Sequence, residues 1–524
     1  MSLESDRKVV LAIDIGTTSV KTLLVDRGGR VLGQESREYP LRTPGPDRAE
    51  QNPDEIFAAV LEGVERVVRK AGIRPRDLLC ASLSSAMHSL IALDGHGAPL
   101  TECIIWADNR SREQAERLKA DGRGRRIYLN TGTPIHPMSP LPKLMWLRER
   151  APEVFQRARM FLGIKEYVLY RLFGQYVTDH SLASATGLFH LRNRTWDTDA
   201  LEAAGVEPER LPELMPTTGI LTGLNPRYAD KMGLAHDLPF VVGASDGVLA
   251  NLGIGASEPG TVAVTIGTSG AVRGTVTEPL TDPKQRLFCY ALTDRHWVIG
   301  GAINNGGIML RWVRDELATL EAAEARERGM DPYDHLSFLA SEVPPGADGL
   351  LFLPFMAGER APYYNANARG VFFGLSLAHS KRHMIRAVME GVMFRILSVV
   401  NALRELTGQE NEIRASGGFA RSSFWCSLLA DIVGTRVAIP DSIESSGLGA
   451  AKLALLAMGE IRDFAELAHW NRVPVLYEPD RAHREIYARL EPIYNRVYEH
   501  LCPDFDDIAA FQLESYQRLH LQSS

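Results

Sequence analysis

Short apolar blocks separated by polar turns open the chain. Val9–Asp14, Val20–Asp26 and Val31–Ser36 are aliphatic or β-branched runs, joined by Gly16-Thr17-Thr18-Ser19 and by Arg27-Gly28-Gly29-Arg30, and they predict three short strands. The period then lengthens to that of a helix. Ile56, Phe57, Val60, Leu61, Val64, Val67 and Val68 recur at helical spacing behind Asn52 as N-cap, Pro53 at N1 and Glu55 at N3, and the run stops at Gly72. Leu78–Leu83 reads as a buried strand. The same order returns from Thr261: a strand, a Gly-Thr-Ser turn, strands Ala271–Val276 and Leu287–Leu292, then Trp297–Gly300 and helical sequence from about Gly307. The pattern predicts an α/β arrangement used twice.

Beyond it, a helical pattern from Ser380 to Thr407 stops at Gly408, and strand Glu412–Ala415 leads through Ser416-Gly417-Gly418-Phe419 to a helix near Ser422. Strand Val437–Ile439 is followed by a loop, Glu444-Ser445-Ser446-Gly447-Leu448-Gly449, and an Ala/Leu helix that ends before Gly459. The Gly447-x-Gly449 pair lacks the third glycine of a dinucleotide fingerprint and stands well away from its strand. Residues 461–524 contain an amphipathic helix with Ile486, Tyr487, Leu490, Ile493, Tyr494 and Val497 on one face, which Pro492 is expected to bend. It reads as a tail packed on a second domain, permitting a homodimer contact without demanding one. The charge-rich Glu321–Arg328 reads as a solvated helix face.

At 524 residues the chain exceeds what one core supports, so two domains and a tail are expected, at 1–255, 256–460 and 461–524. A composition of 45% apolar and 23% charged residues is ordinary for a globular enzyme, and a net charge of -7 argues against a nucleic-acid surface. Five scattered cysteines without a C-x-x-C pair fit reduced thiols in a cytoplasm. Met1–Lys8 is polar with no long apolar run behind it, and no stretch reaches the about 18 uncharged apolar residues of a membrane span.

The candidate chemistry begins with a repeated phrase, Asp14-Ile15-Gly16-Thr17-Thr18-Ser19 and Thr265-Ile266-Gly267-Thr268-Ser269-Gly270, each placed directly after an apolar run. A strand ending in Gly-Thr-Thr/Ser makes a tight turn whose N–H groups and hydroxyls can hold phosphate oxygens. Two such turns suggest a nucleotide gripped between two related domains. Neither is a Walker loop, since the chain has no G-x-x-x-x-G-K-[ST] run. Asp246 follows the apolar Phe240–Val242 and is flanked by Gly243 and Gly247. A carboxylate at such a strand end can serve as a general base, worth about 10²–10⁴-fold. Its spacing equally suits an N-cap for a helix starting at Gly247.

Joined to Gly243-Ala244-Ser245-Asp246-Gly247 and to Gly370-Val371-Phe372-Phe373-Gly374-Leu375 ending at Met389-Glu390, these turns make the chain resemble the FGGY carbohydrate kinases over residues 8–460. Ser84–Ser89, Trp106–Ser111, Gly132–Met138 and Gly163–Tyr167 resemble in particular the members that phosphorylate sugar acids. Arg150 departs from the usual close of the Lys143-Leu144-Met145-Trp146-Leu147 signature, outside the chemistry. The resemblance implies two ribonuclease-H-like domains, as in actin, Hsp70 ATPases and sugar kinases, with a cleft between them. It implies ATP with Mg²⁺, and a small-molecule acceptor, gluconate or a related sugar acid, phosphorylated on its terminal hydroxyl.

On this resemblance Asp246 is the base, and Asp14 lies near the Mg²⁺, through water. Thr17, Thr18, Ser19 and Lys21 meet the β- and γ-phosphates, with Gly267 and Thr268 answering from the other domain. Gly307 and Arg311 lie near the nucleotide, Gly418 and Ser422 around the adenosine. Met87, His88, Trp106, Asp108, Arg110, Met138 and Lys165 fall on acceptor loops, with Arg110 or Lys165 as the clamp for a carboxylate and His136 assisting. Strand propensity, turn-making and core burial remain open for the threonines, the glycines and His88. Three rivals are carried: a kinase of a neutral sugar such as xylulose, a silent sugar-sensing relative, against which the presence of Asp246 speaks, and an actin/Hsp70-like ATPase. The last leaves the motifs between residues 84 and 167 unexplained.

Overall fold

The computed structural model describes residues 8–45, 47–408, 412–441 and 444–521, with side chains as far as Ser515; the polar Met1–Arg7 and the last three residues lie outside that description. Contacts divide the chain into two compact units, residues 1–259, 275–299 and 444–472 in one, and 260–274, 300–443 and 473–524 in the other.

The first unit opens with β1 (Val9–Ile15), β2 (Ser19–Asp26) and β3 (Val31–Glu38), an antiparallel meander, then α1 (Pro53–Ala71) and β4 (Leu78–Ser85), which runs parallel to β1. Every residue of β1 is buried, as a strand covered on both faces requires. The Asn52 side chain accepts from the N–H groups of Asp54 and Glu55, a cap worth about 1 kcal/mol, and Gly72 closes α1 at φ +62°. Helices α2 (Ile164–Phe173) and α3 (His180–Ser184) follow, then β5 (Ile220–Leu221), β6 (Phe240–Ser245) and α4 (Asp246–Gly253). The sheet order is β5–β6–β4–β1–β2–β3.

β6 departs from a regular ladder. Val241 pairs with Ser82 but Ala244 pairs with Ser84, three steps on β6 against two on β4. Gly243 takes φ +77° there, and a Cβ on it would lie 1.7 Å from the Leu83 carbonyl oxygen, so only glycine fits.

The second unit repeats the opening. β7 (Thr261–Ile266) pairs antiparallel with β8 (Gly270–Val276), and strands β9 (Phe288–Ala291), within the residues 275–299 grouped with the first unit, and β10 (Trp297–Ile303) follow in sequence. Next come α5 (Ile308–Trp312), α6 (Pro332–Ser341), α7 (Lys381–Thr407), β11 (Glu412–Ser416), which lies parallel to β7, α8 (Ser423–Val433) and β12 (Val437–Ile439). The predicted stop of α7 at Gly408 is an αL cap at φ +64°. The helical segment around Glu321 spans Thr319–Glu327 and buries Ala322 and Ala325.

One expectation is corrected. Ser445 to Gly449, expected to be loop, forms the first turns of α9 (Ser445–Ala457). The glycines are there for approach: a Cβ on Gly449 would come 1.9 Å from the Leu249 carbonyl oxygen of α4, and one on Gly447 2.8 Å from Leu23. The apolar face of α9 shares a core with Val10, Ala12, Leu23 and Val248, which is why packing gives this helix to the first unit although it follows the second in sequence.

After β13 (Val475–Tyr477) the chain ends in α10 (Arg481–Leu521), assigned continuously through Pro492 and Pro503. Its predicted face is buried through Tyr487, Tyr494 and Val497, and the two tyrosines pack on Phe394 of α7. Tyr487 donates to Glu390 at 2.8 Å, and Glu390 also takes Arg386 at 2.7 Å and the Gly346 N–H at 2.9 Å. All five cysteines are free and four are buried, and among the described residues no helix is long and apolar enough to cross a membrane.

A methyl group forced between α4 and α9 must push them apart. Gly449→Ala is expected to cost about 1–3 kcal/mol, read as a fall of several degrees in the calorimetric midpoint.

Candidate functional site

In the first unit the carboxyl ends of the parallel strands β1, β4 and β6 lie side by side, with Asp14 opposite Ser84 and Ser84 opposite Ala244. Ligands of open α/β sheets bind at such an edge. Asp14 accepts from the hydroxyls of Ser84 and Ser446, each at 2.6 Å. Burial pushes its carboxyl above the usual carboxylate range, while those hydroxyls and the Lys21 ammonium pull it back. Lys21 does not stand alone: it pairs with Glu444 at 3.0 Å. The turn between β1 and β2 is braced, with the Gly16 N–H on Ser19 O at 3.0 Å, the Tyr39 hydroxyl on Gly16 O and the Gln51 amide on Thr17 O at 2.5 Å. Thr17 and Ser19 are half-buried and Thr18 is exposed.

Asp246 is the first residue of α4, and Ser245 occupies the N-cap position without a side-chain cap hydrogen bond. Its Oδ1 accepts the Gly247 N–H at 2.6 Å and the side chain is half-exposed. A helix's first turn favours a carboxylate there.

The predicted acceptor residues cluster in the same unit. The Trp106 indole donates to the Thr17 hydroxyl at 3.0 Å, joining the acceptor loop to the phosphate turn. His88 holds φ +69° with Nδ1 2.7 Å from Ala185 O, and His136 Nδ1 accepts the Met138 N–H at 3.1 Å. Met87 is half-buried and Met138 buried. Asp108, fully buried, accepts the Ala49 N–H at 2.8 Å and the Arg110 guanidinium at 2.7 Å. Arg110 also holds Glu50 and lies 5.2 Å over the Trp146 ring. Lys165 is sealed from solvent against Asp179. Both cations expected to clamp an acceptor carboxylate therefore already hold carboxylates of the chain itself.

Sequence reasoning overlooked Lys143. Its ammonium, wholly buried, donates to the carbonyls of His88, Ile105 and Met138 at 2.7, 2.7 and 2.8 Å. Burial pushes it down to about 7, against the pull of the nearby Asp108 carboxylate. One side chain thus ties three acceptor loops together. The signal available was a lysine flanked by Leu144, Met145 and Leu147 on a buried helix face. Ser84, Ser446 and Asp179 carried no comparable signal.

In the second unit, Gly267, Thr268, Gly307, Arg311, Gly418 and Ser422, six of the ten residues expected to meet the nucleotide, line one cavity of about 460 Å³, together with Tyr333, Asp334 and Trp425. Gly307 is needed for close approach, since a Cβ would sit 2.7 Å from Gly267 O, whereas one on Gly418 or Gly267 would meet nothing within 4 Å. The Gly307 N–H donates to Gly267 O at 2.7 Å, fastening the turn to the start of α5. Ser422 caps α8 through the Trp425 N–H at 3.4 Å.

The FGGY family of carbohydrate kinases matches twice, its N-terminal domain over residues 9–253 and its C-terminal domain over 262–458. A gluconokinase of Bacillus licheniformis is 48% identical over 504 residues, covering 96% of this chain and 98% of that one. The crystal structure of gluconate kinase from Lactobacillus acidophilus superposes with TM-score 0.90 at 35% identity, covering 96% of this chain and 99% of that one. A ligand-bound xylulose kinase from the same organism gives TM-score 0.91 at 35% identity, covering 96% and 100%. With two strand-end carboxylates, two Gly-Thr turns and matches to both domains of one family, the chain belongs to the FGGY carbohydrate kinases, phosphotransferases that use ATP on an alcohol group.

Proposed function

We propose that the protein transfers the γ-phosphoryl group of ATP to the terminal C6 hydroxyl of D-gluconate, giving 6-phosphogluconate and ADP. The observation that carries this reading is the 48% identity to a gluconokinase along nearly all of both chains. A neutral ketose, xylulose, is the second reading, favoured by the equal 35% identity to structures named for gluconate kinase and for xylulose kinase. The protein is read as cytoplasmic, with small molecules rather than nucleic acid as partners, and a homodimer is the assembly the tail helix admits. The sequence boundaries near 255 and 460 are kept as the functional halves.

Asp246 accepts the proton of the acceptor hydroxyl as its oxygen bonds to phosphorus and the bond to the ADP oxygen breaks. Met87, His88, Trp106, Asp108 and Met138 hold the polyol on loops that Lys143 fastens. Of the two cations considered for the acceptor carboxylate, Arg110 keeps that assignment by exchanging Glu50 for the ligand. The N–H groups and hydroxyls of Thr17, Thr18 and Ser19 receive phosphate oxygens, as does Lys21 in exchange for Glu444. Gly267 and Thr268 do the same from the second unit, whose cavity takes the adenosine over Gly418, with Gly307, Arg311 and Ser422 around it.

Mg²⁺ supplies charge neutralisation on the triphosphate when bound. Among the described residues no three His, Cys, Asp or Glu side chains gather as a metal cage. A lone buried carboxylate suits an ion that keeps several of its waters, so Asp14 is the residue that would hold it, through water.

ADP release measured over a panel is expected to saturate with gluconate and to stay near background with xylulose and glycerol; the reverse order selects the second reading. Asp246→Asn is expected to lower kcat by about 10²–10⁴-fold while ATP still raises the thermal midpoint, and retained turnover would remove Asp246 as base. Lys143→Met, by loosening three acceptor loops, is expected to raise the KM for gluconate about tenfold or more with the KM for ATP unchanged.

A further inference from the structure

We propose that Lys165, Asp179 and Ser181 are positioning residues that fix Asp246 by clamping both sides of the β6 bulge, an inference that rests on the kinase reading above. Pairing of β6 with β4 is regular to Val241↔Ser82 and resumes at Ala244↔Ser84, so Val242 and Gly243 stand outside it. A bulge leaves backbone groups unpaired and bends its strand, re-aiming the residues that follow. Here three of the backbone groups at the bulge are taken up. The Val242 carbonyl accepts the Lys165 ammonium at 2.8 Å, and the N–H groups of Val242 and Gly243 donate to Gly219 O at 2.9 Å and Thr217 O at 3.1 Å.

On the far side of the bulge the Ser245 N–H donates to Ser181 Oγ at 3.2 Å, and the two hydroxyls lie 3.1 Å apart. Asp179 joins the two tethers. Its Oδ2 takes the Lys165 ammonium, and its Oδ1 caps α3 through the N–H groups of Ser181 at 2.8 Å and Leu182 at 3.0 Å. Lys165, Asp179, Ser181 and Ser245 are all 0% exposed, so a ligand does not reach this ammonium. A cap alone needs no lysine. The cation reaches across to a carbonyl four residues before Asp246, and the hydroxyl holds the residue immediately before it.

A base works only within hydrogen-bond reach of its proton. Slippage of the strand by one residue turns its side chains to the other face, and the two tethers on either side of Gly243 forbid that slip.

Full-length Ser181→Ala, Ser245→Ala and Lys165→Met, assayed with ATP and gluconate, test the device. Ser181→Ala is expected to lower kcat about 10- to 100-fold, with both KM values close to those of the parent and the thermal midpoint lowered by a few degrees for the buried Ser245 groups left unpaired. Ser245→Ala keeps the backbone N–H and is expected to lose much less, and Lys165→Met is expected to lose kcat rather than KM. A raised gluconate KM with unchanged kcat in Lys165→Met would return that lysine to the substrate, and parental kcat in Ser181→Ala would overturn the tether. Should Lys165→Met not fold, Ser181→Ala decides. If Asp246→Asn itself turns over like the parent, the assignment of the base has failed rather than the device.

Discussion

The buried pair of Lys165 and Asp179 is the constraint on which the first unit's chemistry depends. Taking two charges out of water costs several kcal/mol per ion, about, and is tolerable only when the remaining donors and acceptors find partners. Here they do: the ammonium meets a carboxylate and a strand carbonyl, and the carboxylate meets two amides at a helix start. The neighbouring stretches around residues 165 and 180 and the distant one around 243 are thereby held in one arrangement. Removing either charge would strand the other, at about 3–5 kcal/mol, so the surroundings of Asp246 are stiff before any ligand arrives. Groups already in place need no reorganisation at the moment of reaction.

The second unit applies the same physics to another task. Arg386, Glu390 and Tyr487 form a buried triad, closed by the Gly346 N–H. Burial pushes the Glu390 carboxyl up and Arg386 opposes it. That triad holds α7, the loop before Gly346 and the terminal helix together, while the nucleotide-sized cavity has Arg311 and Arg421 exposed at its wall. The two Gly-Thr turns also differ in their bracing. One leans on Tyr39 and Gln51, the other on the backbone of Gly306 and Gly307.

Periodicity made the regular elements legible. The cap at Asn52, the stop at Gly408, the strand–turn–strand openings and the buried stripe of Tyr487, Tyr494 and Val497 all stand where local chemistry places them. Six residues named around the nucleotide line one cavity because they fall on consecutive strand ends and helix starts, which topology brings together. What stayed hidden depends on distance in sequence. Gly447 and Gly449 look like loop glycines until Leu23 and the Leu249 carbonyl are seen against them. Lys165 looks like an anion binder until Asp179 is found on it, and the Glu50 partner of Arg110 is equally invisible in the sequence. The bulge at Val242–Gly243 leaves no mark on composition, since it is a mismatch between two strands rather than a property of one.

The tyrosine on Glu390 bears on how much polypeptide a working kinase of this kind needs. The family signature is exhausted at residue 458, yet one of the donors to this buried acid, the Tyr487 hydroxyl, arrives from a helix beginning at Arg481. A version trimmed to its recognisable motifs would keep every residue that meets nucleotide or polyol and still leave Glu390 short of a donor. The stretch beyond the matched family domains is thus part of the scaffold of the second unit.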